Sequence, residues 1–292
     1  DARVALTLRL IAGLSAAEIA RAFLVPEPTI GQRITRAKRT LADSNVPFEL
    51  PRSEELGERL ASVLEVVYLI FNEGYSATAG DDIMRPALVD EALRLAALLA
   101  ELAPAEPEVL GLLALLELQA SRAAARVDAA GEPVLLLDQD RTRWHASLIA
   151  SGLAHLAHAQ RLAGTAGPYQ LQAAIAAEHA RAARAADTDW ARIAALYAEL
   201  GELTPSPVIA LNHAVAVSRA EGPEAGLSRL DALAGEPALA RYHLYASARA
   251  DLLEQLGRYG EARAEFERAA TMTDNARNRS RLLERAARLA NR

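Results

Sequence analysis

Apolar side chains recur at helical spacing along most of this chain, and this periodicity restricts the fold more than any other feature of the sequence. From Leu56 to Leu289 the i, i+4 spacing marks about eleven segments separated by proline or glycine. The one run typical of a β-strand is PVLLL, from Pro133 to Leu137. We therefore expect an all-α protein.

Composition excludes several classes of protein. The chain has 292 residues, of which 51% are hydrophobic, enough for one large core or two smaller ones. No apolar run approaches the roughly 18 to 20 residues that span a bilayer, and no secretory signal opens the chain. There is no cysteine, as is typical of a reducing compartment. We expect a cytoplasmic protein without a membrane partner.

Charge is distributed unevenly along the chain. Residues 1–42 carry a net charge of +4, and the remaining 250 residues carry −10. A basic segment on an acidic body indicates that one part meets a polyanion and the other does not. The segment DSNVPFELPRS, from Asp43 to Ser53, contains two prolines and interrupts the helical pattern. We predict a small domain over 1–44, a linker over 45–53 and an all-helical domain over 54–292.

The basic segment has the signals of three short helices. Gly13 stands where a left-handed cap would end the first, and Ser15 with Glu18 forms an S-x-x-E capping box for the second. LVPEP then turns the chain, and Thr29 is placed to cap the third helix. The residues expected to face inward are Val4, Leu8 and Ile11 in the first helix, Ile19 and Phe23 in the second, and Ile30, Ile34, Ala37 and Leu41 in the third.

Polar and basic side chains occupy the other faces of the third helix. Two short helices joined by a tight turn, the second with a basic outer face, predict a helix-turn-helix. Arginine can bind guanine edges or phosphate and glutamine can pair with adenine, so this helix is a candidate DNA reader. The alternative is a merely solvated basic face. The predicted DNA-binding residues are Thr29, Gln32, Arg33, Arg36, Lys38 and Arg39.

The stretch GLSAAEIARAFLVPEPTIGQRITRAKRTL resembles region 4 of an extracytoplasmic-function (ECF) sigma factor. Thirteen of its positions fit that pattern: Gly13, Leu14, Ser15, Glu18, Ile19, Ala20, Thr29, Ile30, Arg33, Ile34, Arg36, Ala37 and Lys38. The later segments YLIFNEGYSA, LLLDQDRTRW, GPYQLQAAIAAEHA, DTDWARIAALYAEL and PSPVIALNHAVAV are similar to the long helical C-terminal extension of one subgroup, so the resemblance covers nearly the whole chain.

The resemblance implies a role in transcription initiation. Region 4 of such proteins binds the minus-35 promoter element and docks on the β flap of RNA polymerase core. The region that binds the polymerase clamp and melts the minus-10 element is expected upstream of Asp1, so this chain alone is not expected to initiate transcription. The extension is expected to act as a control domain.

Near its end the chain resembles a tetratricopeptide (TPR) repeat. The packing positions are Ala250, Leu253, Gly257, Tyr259, Ala262, Phe266 and Ala269, and a weaker copy aligns Gly222 with Gly257 and Ala225 with Ala262. Small residues where helices cross let helix pairs stack into a superhelix. We therefore predict a TPR-like domain that binds a protein or peptide partner or controls activity.

Three other motifs each have two readings. His155 and His158 are a metal pair or packing residues, although no carboxylate lies within a turn of them in sequence. FNEGY, Phe71 to Tyr75, is a chemical motif with Glu73 in a loop, or a helix end closed by Gly74 between aromatic rings. DQDRTRW is an anion or peptide pocket built on Arg141 and Arg143, or an ion-pair network.

The sequence lacks the usual signals of an enzyme. There is no glycine-rich phosphate loop, nucleophile elbow or metal-ligand cluster, so we predict no catalytic residues, cofactor or metal. Three functions remain. The chain is a sigma-factor fragment with a regulatory repeat domain, a TPR-like interaction scaffold whose basic head only packs, or a repeat-fused helix-turn-helix activator without sigma activity. DNA binding separates the first from the second, and an upstream region 2 separates the first from the third.

Overall fold

The computed structural model describes residues 2–10, 12–43, 53–77, 79–80 and 82–290. Its elements are almost entirely α-helices, as the periodicity predicts, and the described residues form two compact units. The first unit comprises residues 1–78 and 84–102, and the second comprises 79–83 and 103–292.

The described residues of the first unit form five α-helices. They are α1 (Ala2–Leu10), α2 (Ala16–Ala22), α3 (Glu27–Asp43), α4 (Ser53–Tyr75) and α5 (Pro86–Leu102). Gly13 has a φ of +69° after α1, so the predicted left-handed turn is confirmed. Val4 and Leu8 of α1 are buried, whereas Ile11 lies outside the described residues.

The compact units divide the chain at a different place from the predicted domains. The sequence assigned α4 and α5 to the C-terminal domain, but both belong to the same unit as α1–α3. The reason is tertiary, because α4 packs on α1 and α2 as well as on α5. The predicted linker over 45–53 lies outside the described residues except for Ser53, where α4 begins.

The second unit contains nine α-helices among its described residues. They are α6 (Pro107–Ala120), α7 (Ala146–Leu162), α8 (Pro168–Arg181), α9 (Trp190–Leu203), α10 (Pro207–Glu221), α11 (Pro223–Ala232), α12 (His243–Gln255), α13 (Tyr259–Thr271) and α14 (Ala276–Leu289). Four begin with proline, whose missing N–H costs nothing in the first turn. Together, α4–α14 match the expected number of about eleven helices.

The helices of the second unit pack mainly on their neighbours in sequence. Contacts run from α8 to α9, α9 to α10, α10 to α11, α11 to α12, α12 to α13 and α13 to α14, while α6 lies against both α7 and α8. Helix α6 is buried on nearly every side, which explains its uninterrupted apolar sequence. Five of the expected repeat positions in α12 and α13 are fully buried: Ala250, Leu253, Ala262, Phe266 and Ala269.

Among the described residues, the assigned β-strands form one two-residue ladder. Strand β1 (Ala79–Gly80) pairs in parallel with β2 (Asp274–Asn275), and both belong to the second unit. The strand expected over Pro133 to Leu137 is wrong. Pro133 forms an isolated bridge with Val127, and the run ends in a 3-10 helix at Leu136–Asp138. The Val134 N–H donates to the Arg126 carbonyl at 2.8 Å, but the backbone enters the 3-10 helix two residues later, so no continuous ladder forms.

Candidate nucleic-acid interface

The helix-turn-helix begins with a complete capping box. The Ser15 N–H donates to Glu18 Oε2 at 2.6 Å, and the Glu18 N–H donates to Ser15 Oγ at 3.2 Å. Two N–H groups that would otherwise be unsatisfied at the start of α2 are therefore bonded, as the sequence predicts. Ile19 is fully buried one turn later, and Phe23 is half-buried at the C-cap.

The turn between α2 and α3 depends on an unusual backbone conformation. Leu24 has a φ of +52°, and the Val25 N–H donates to the Ala20 carbonyl at 3.0 Å. Helix α3 begins at Glu27 rather than at Thr29, so the expected Thr29 cap is wrong. Pro28 fits within the first helical turn because it gives up only an N–H that has no intrahelical acceptor.

The inward stripe of α3 is buried only along its first half. Ile30 and Ile34 are 0% and 9% exposed, and Ala37 is half-buried. Leu41, expected in the core, is 61% exposed. It lies on the same stripe as the two isoleucines, but burial falls steadily toward the C-terminal end of α3. The periodicity therefore predicted correctly which face of α3 points inward. It could not predict how far along the helix that face is covered by other residues.

The predicted DNA-binding residues do not share one environment. Gln32, Arg36 and Arg39 are exposed, whereas Thr29 and Arg33 are half-buried. The Arg33 guanidinium carbon lies 6.0 Å from the centre of the Phe23 ring, a distance compatible with a cation–π contact. Arg33 is thus partly engaged by the turn that joins the two helices.

Lys38 is exposed, but it occupies a different side of α3. At about 100° per residue, the other five predicted residues span an arc of about 120°, and Lys38 lies about 100° beyond the nearer edge of that arc. A surface that meets DNA through Arg36 and Gln32 would therefore leave Lys38 at its side or behind it. This separation makes Lys38 a useful internal comparison.

Arg85, which the sequence analysis missed, ties the helix-turn-helix to the rest of the first unit. Its guanidinium lies 3.0 Å from Glu18 Oε1 and 3.7 Å from Glu73 Oε1, and its backbone N–H donates to the Gly74 carbonyl at 2.7 Å. Glu73 is only 6% exposed. The Glu18 carboxylate thus serves both the capping box of α2 and an ion pair with the residue that precedes α5. No local pattern marks such a contact, which spans 67 residues.

The FNEGY motif has a structural explanation that differs from both readings. Glu73 lies in the last turn of α4 rather than in a loop, and Gly74 is a helical residue rather than a left-handed cap. A residue without a Cβ atom is needed at position 74 because α5 approaches it closely, at Leu88 and Val89. The expected aromatic packing is present, since Phe71 and Tyr75 stack with ring centres 5.3 Å apart.

His155 has a carboxylate partner that is distant in sequence. Glu117 of α6 is buried, and its oxygens lie 2.7 Å from His155 Nδ1 and 2.8 Å from Ser151 Oγ. These contacts link α6 to α7. Within the described part of the chain, no group of three or more histidine, aspartate or glutamate side chains is arranged to hold a metal ion.

Arg141 binds backbone carbonyls rather than a network of carboxylates. Its guanidinium donates to the carbonyls of His179 and Ala182, near the end of α8, and lies 4.6 Å from the centre of the Trp144 ring. A cation at a helix C-terminus satisfies carbonyls that lack intrahelical partners. In place of the expected ion-pair network, Arg141 of DQDRTRW therefore caps a helix, and Arg143 donates to the Val127 carbonyl at 3.3 Å.

His179 is buried beside this cap and stays uncharged. Its ring meets Trp190 edge to face, with ring centres 5.2 Å apart. Burial, reinforced by the positive charges of Arg122 and Arg141, lowers the pKa of His179 to about 3. A neutral imidazole packed in this way has a structural role.

Comparison with known proteins agrees with the division of motifs along the chain. Residues 1–41 match the family described as Sigma-70, region 4, and residues 59–160 match a family of unknown function, DUF6596. The chain is 53% identical over 274 residues to an uncharacterized protein of Rhizobium meliloti (strain 1021). That alignment covers 94% of this chain and 64% of the relative, so the chain spans about two thirds of the relative's length.

The match to sigma-70 region 4 covers residues 1–41, and the helix-turn-helix formed by α2 and α3 lies in the same segment. No helix among the described residues is long and apolar enough to cross a membrane. The chain carries a sigma-70 region 4 domain at its N-terminus and a DUF6596 domain after it, and this is consistent with a sigma-factor-like protein.

Proposed function

We propose that this chain is the promoter-reading and regulatory part of an ECF-type sigma factor, with α3 bound to the minus-35 element. The observation that carries the proposal is the exposed face of Gln32, Arg36 and Arg39 within the segment that matches sigma-70 region 4. A merely solvated basic face would leave the same side chains exposed, so the support comes from their position on the second helix of a helix-turn-helix that matches sigma-70 region 4.

The dimensions of α3 suit a major groove. From Thr29 to Arg39 the helix rises about 15 Å, and the groove is about 12 Å wide. Arg36 lies at the middle of the arc of predicted residues and Gln32 lies between Arg36 and the Arg39 edge, so we place both where they can reach base edges. Arg39, one turn later, is placed to contact phosphate. Arg33 contributes by holding the turn at Phe23 as well as by its charge.

The partners follow from the same assignment. We propose that region 4 docks on the β flap of RNA polymerase core, and that the second unit is a TPR-like control domain that binds a protein or peptide. The buried small residues of α12 and α13 support helix-pair stacking of this kind. The proposed location is the cytoplasm, and we propose no catalytic activity, cofactor or metal.

A pair of charge reversals on the same helix tests the proposal. Arg36→Glu and Lys38→Glu change the net charge equally, but only Arg36 lies within the proposed reading face. DNA binding is measured by fluorescence anisotropy at low salt, because the −10 charge of residues 43–292 repels DNA. We expect Arg36→Glu to weaken binding to a minus-35 duplex by about 5- to 150-fold and Lys38→Glu to do so far less.

Circular dichroism serves as the control for folding, since a reversal at either exposed site should alter stability by about 0.5 kcal/mol or less. Equal losses for the two variants would mean that only net charge matters, and the reading face would be wrong. Retention of full affinity by Arg36→Glu would favour the scaffold. An activator without sigma activity would bind the duplex but fail to bind purified RNA polymerase core.

A further inference from the structure

The second unit contains a half-open cleft between α14 and the segment that leads into the DQDRTRW motif. Its volume is about 630 Å³, within the range of roughly 300 to 1,000 Å³ typical of small-molecule sites. Leu135 and Leu289 provide apolar surface, and Leu135 is 43% exposed. The remaining wall is dominated by arginine side chains from α14.

Three arginines line the cleft from one face of α14. Arg281, Arg285 and Arg288 have i, i+4, i+7 spacing, so they form a row about 10 Å long. The middle residue is fully engaged. The Arg285 guanidinium forms ion pairs with Asp251 and Glu254 and lies 4.2 Å from the centre of the Phe266 ring. Arg285 is therefore part of the packing between helices.

The two outer arginines have no such partners. Arg281 is half-buried, and neither Arg281 nor Arg288 forms a hydrogen bond or ion pair with any residue of the described ranges. Burial, followed by repulsion from Arg285, lowers the pKa of Arg281. The carboxylates of Asp251 and Asp138 act on Arg281 electrostatically without forming a direct ion pair with it, so a bound anion would offset the remaining cost of burying its charge.

The balance of unpaired charges favours an anion. Glu254, which also lines the cleft, is occupied by Arg285. Asp138 is the one lining carboxylate that pairs with no described arginine, and it is close enough to act electrostatically on Arg281 without forming an ion pair. Two unpaired arginines thus face one unpaired carboxylate beside an apolar wall.

We propose that this cleft binds a small amphipathic organic anion, with its carboxylate or phosphate group on Arg281 and Arg288 and its apolar body against Leu135 and Leu289. The site lies wholly within the second unit, and its existence does not depend on the DNA-binding assignment. Guanidinium groups suit such anions because their paired N–H groups match carboxylate and phosphate oxygens.

Calorimetric titration of the whole chain tests the site with defined probes. Phenyl phosphate and benzoate combine an anion with an apolar body, inorganic phosphate supplies the anion alone, and benzyl alcohol supplies the body alone. We expect at least one of the two combined probes to bind with a stoichiometry of one and more tightly than either partial probe. The difference between phenyl phosphate and benzoate distinguishes a phosphate ligand from a carboxylate ligand.

Two variants and a control locate the binding. Arg281→Gln should weaken binding of the best probe by about tenfold or more, and at the same time raise the Tm of the free protein by removing an uncompensated charge. Arg288→Gln should weaken binding without changing Tm. Arg263→Gln, at an exposed arginine of α13 paired with Glu267, should leave binding unchanged.

Three results would each overturn the proposal. The first is the absence of saturable binding by any combined probe up to about 10 mM, the weak limit of specific recognition. The second is unaltered affinity in Arg281→Gln. The third is a lower Tm for Arg281→Gln, which would make Arg281 a structural residue rather than part of a binding site.

Discussion

Gly74 has the closest neighbours of the glycines described in the first unit. A Cβ atom built there would lie 2.7 Å from Val89 N, 2.8 Å from Leu88 Cβ and 3.0 Å from Leu88 C. Two of these three atoms belong to the backbone of α5 and cannot move aside by changing a rotamer. Gly74→Ala therefore has to separate α4 from α5.

The size of the effect follows from two opposing contributions. Alanine gains about 1 kcal/mol over glycine inside a helix. Overpacking of a close contact costs about 1 to 3 kcal/mol, and contact with backbone favours the upper end of that range. We expect Gly74→Ala to destabilise the unit by about 1 to 2 kcal/mol. Gly57 of the same helix has no neighbouring atom within 4 Å of such a Cβ, so Gly57→Ala should stabilise by about 0.5 to 1 kcal/mol.

Hydrogen exchange followed by mass spectrometry measures the free energy of local opening in peptides from α4 and α5. The two substitutions should shift exchange in opposite directions. The Gly74 carbonyl accepts the Arg85 N–H, and the Arg85 side chain pairs with Glu18 of α2. Faster exchange in Gly74→Ala should therefore extend to α2. Stabilisation by Gly74→Ala as large as that by Gly57→Ala would show that the close approach of the helices does not exist.

Two further predictions concern polar side chains in the packing between helices. The pKa of His179 is depressed from 6.5 to about 3, so its contribution to stability is fully present above pH 6.5 and is lost as the pH falls toward 3. The parent protein should therefore lose about 2 kcal/mol of unfolding free energy between pH 7 and pH 5 that His179→Phe does not lose, as measured by urea titration. An equal loss in the variant would refute the assignment. Arg85→Met breaks the contacts with Glu18 and Glu73, so it should speed hydrogen exchange in α2 and lower the unfolding free energy by about 1 to 2 kcal/mol. Arg94→Met, at an exposed ion pair, should lower it by less than about 0.5 kcal/mol. Equal effects of the two variants would show that the Arg85 contacts do not stabilise the unit.

Local signals in the sequence were reliable where the neighbouring residues alone decide the structure. The Ser15–Glu18 capping box, the left-handed turn at Gly13 and the start of α6 at Pro107 each depend on contacts within about one helical turn. The all-α fold follows from the same kind of evidence, because apolar periodicity is a local property repeated along the chain.

Features that depend on a distant partner could not be read in this way. Leu41 has the correct helical phase but is exposed, and Gly74 is small because of α5 rather than because a helix ends there. Arg85 meets a carboxylate 67 residues away, and no spacing rule connects the two. The exposed face of α3 was predictable as a surface, while the grouping of α4 and α5 with α1–α3 required the three-dimensional packing.

The short β1–β2 ladder joins two segments of the second unit that are far apart in sequence, and this affects the order in which the unit folds. The Asn275 side chain donates to the Asp82 carbonyl at 3.0 Å, closing a loop of 193 residues, and its Oδ1 accepts the Asn278 N–H at the start of α14. Closing a free loop of that length costs roughly 5 kcal/mol, more than a two-residue ladder returns. The ladder can therefore form only after the intervening helices have brought its ends together. We therefore expect the ladder and the Asn275 contacts, which also cap the start of α14, to be among the last native contacts of the second unit to form.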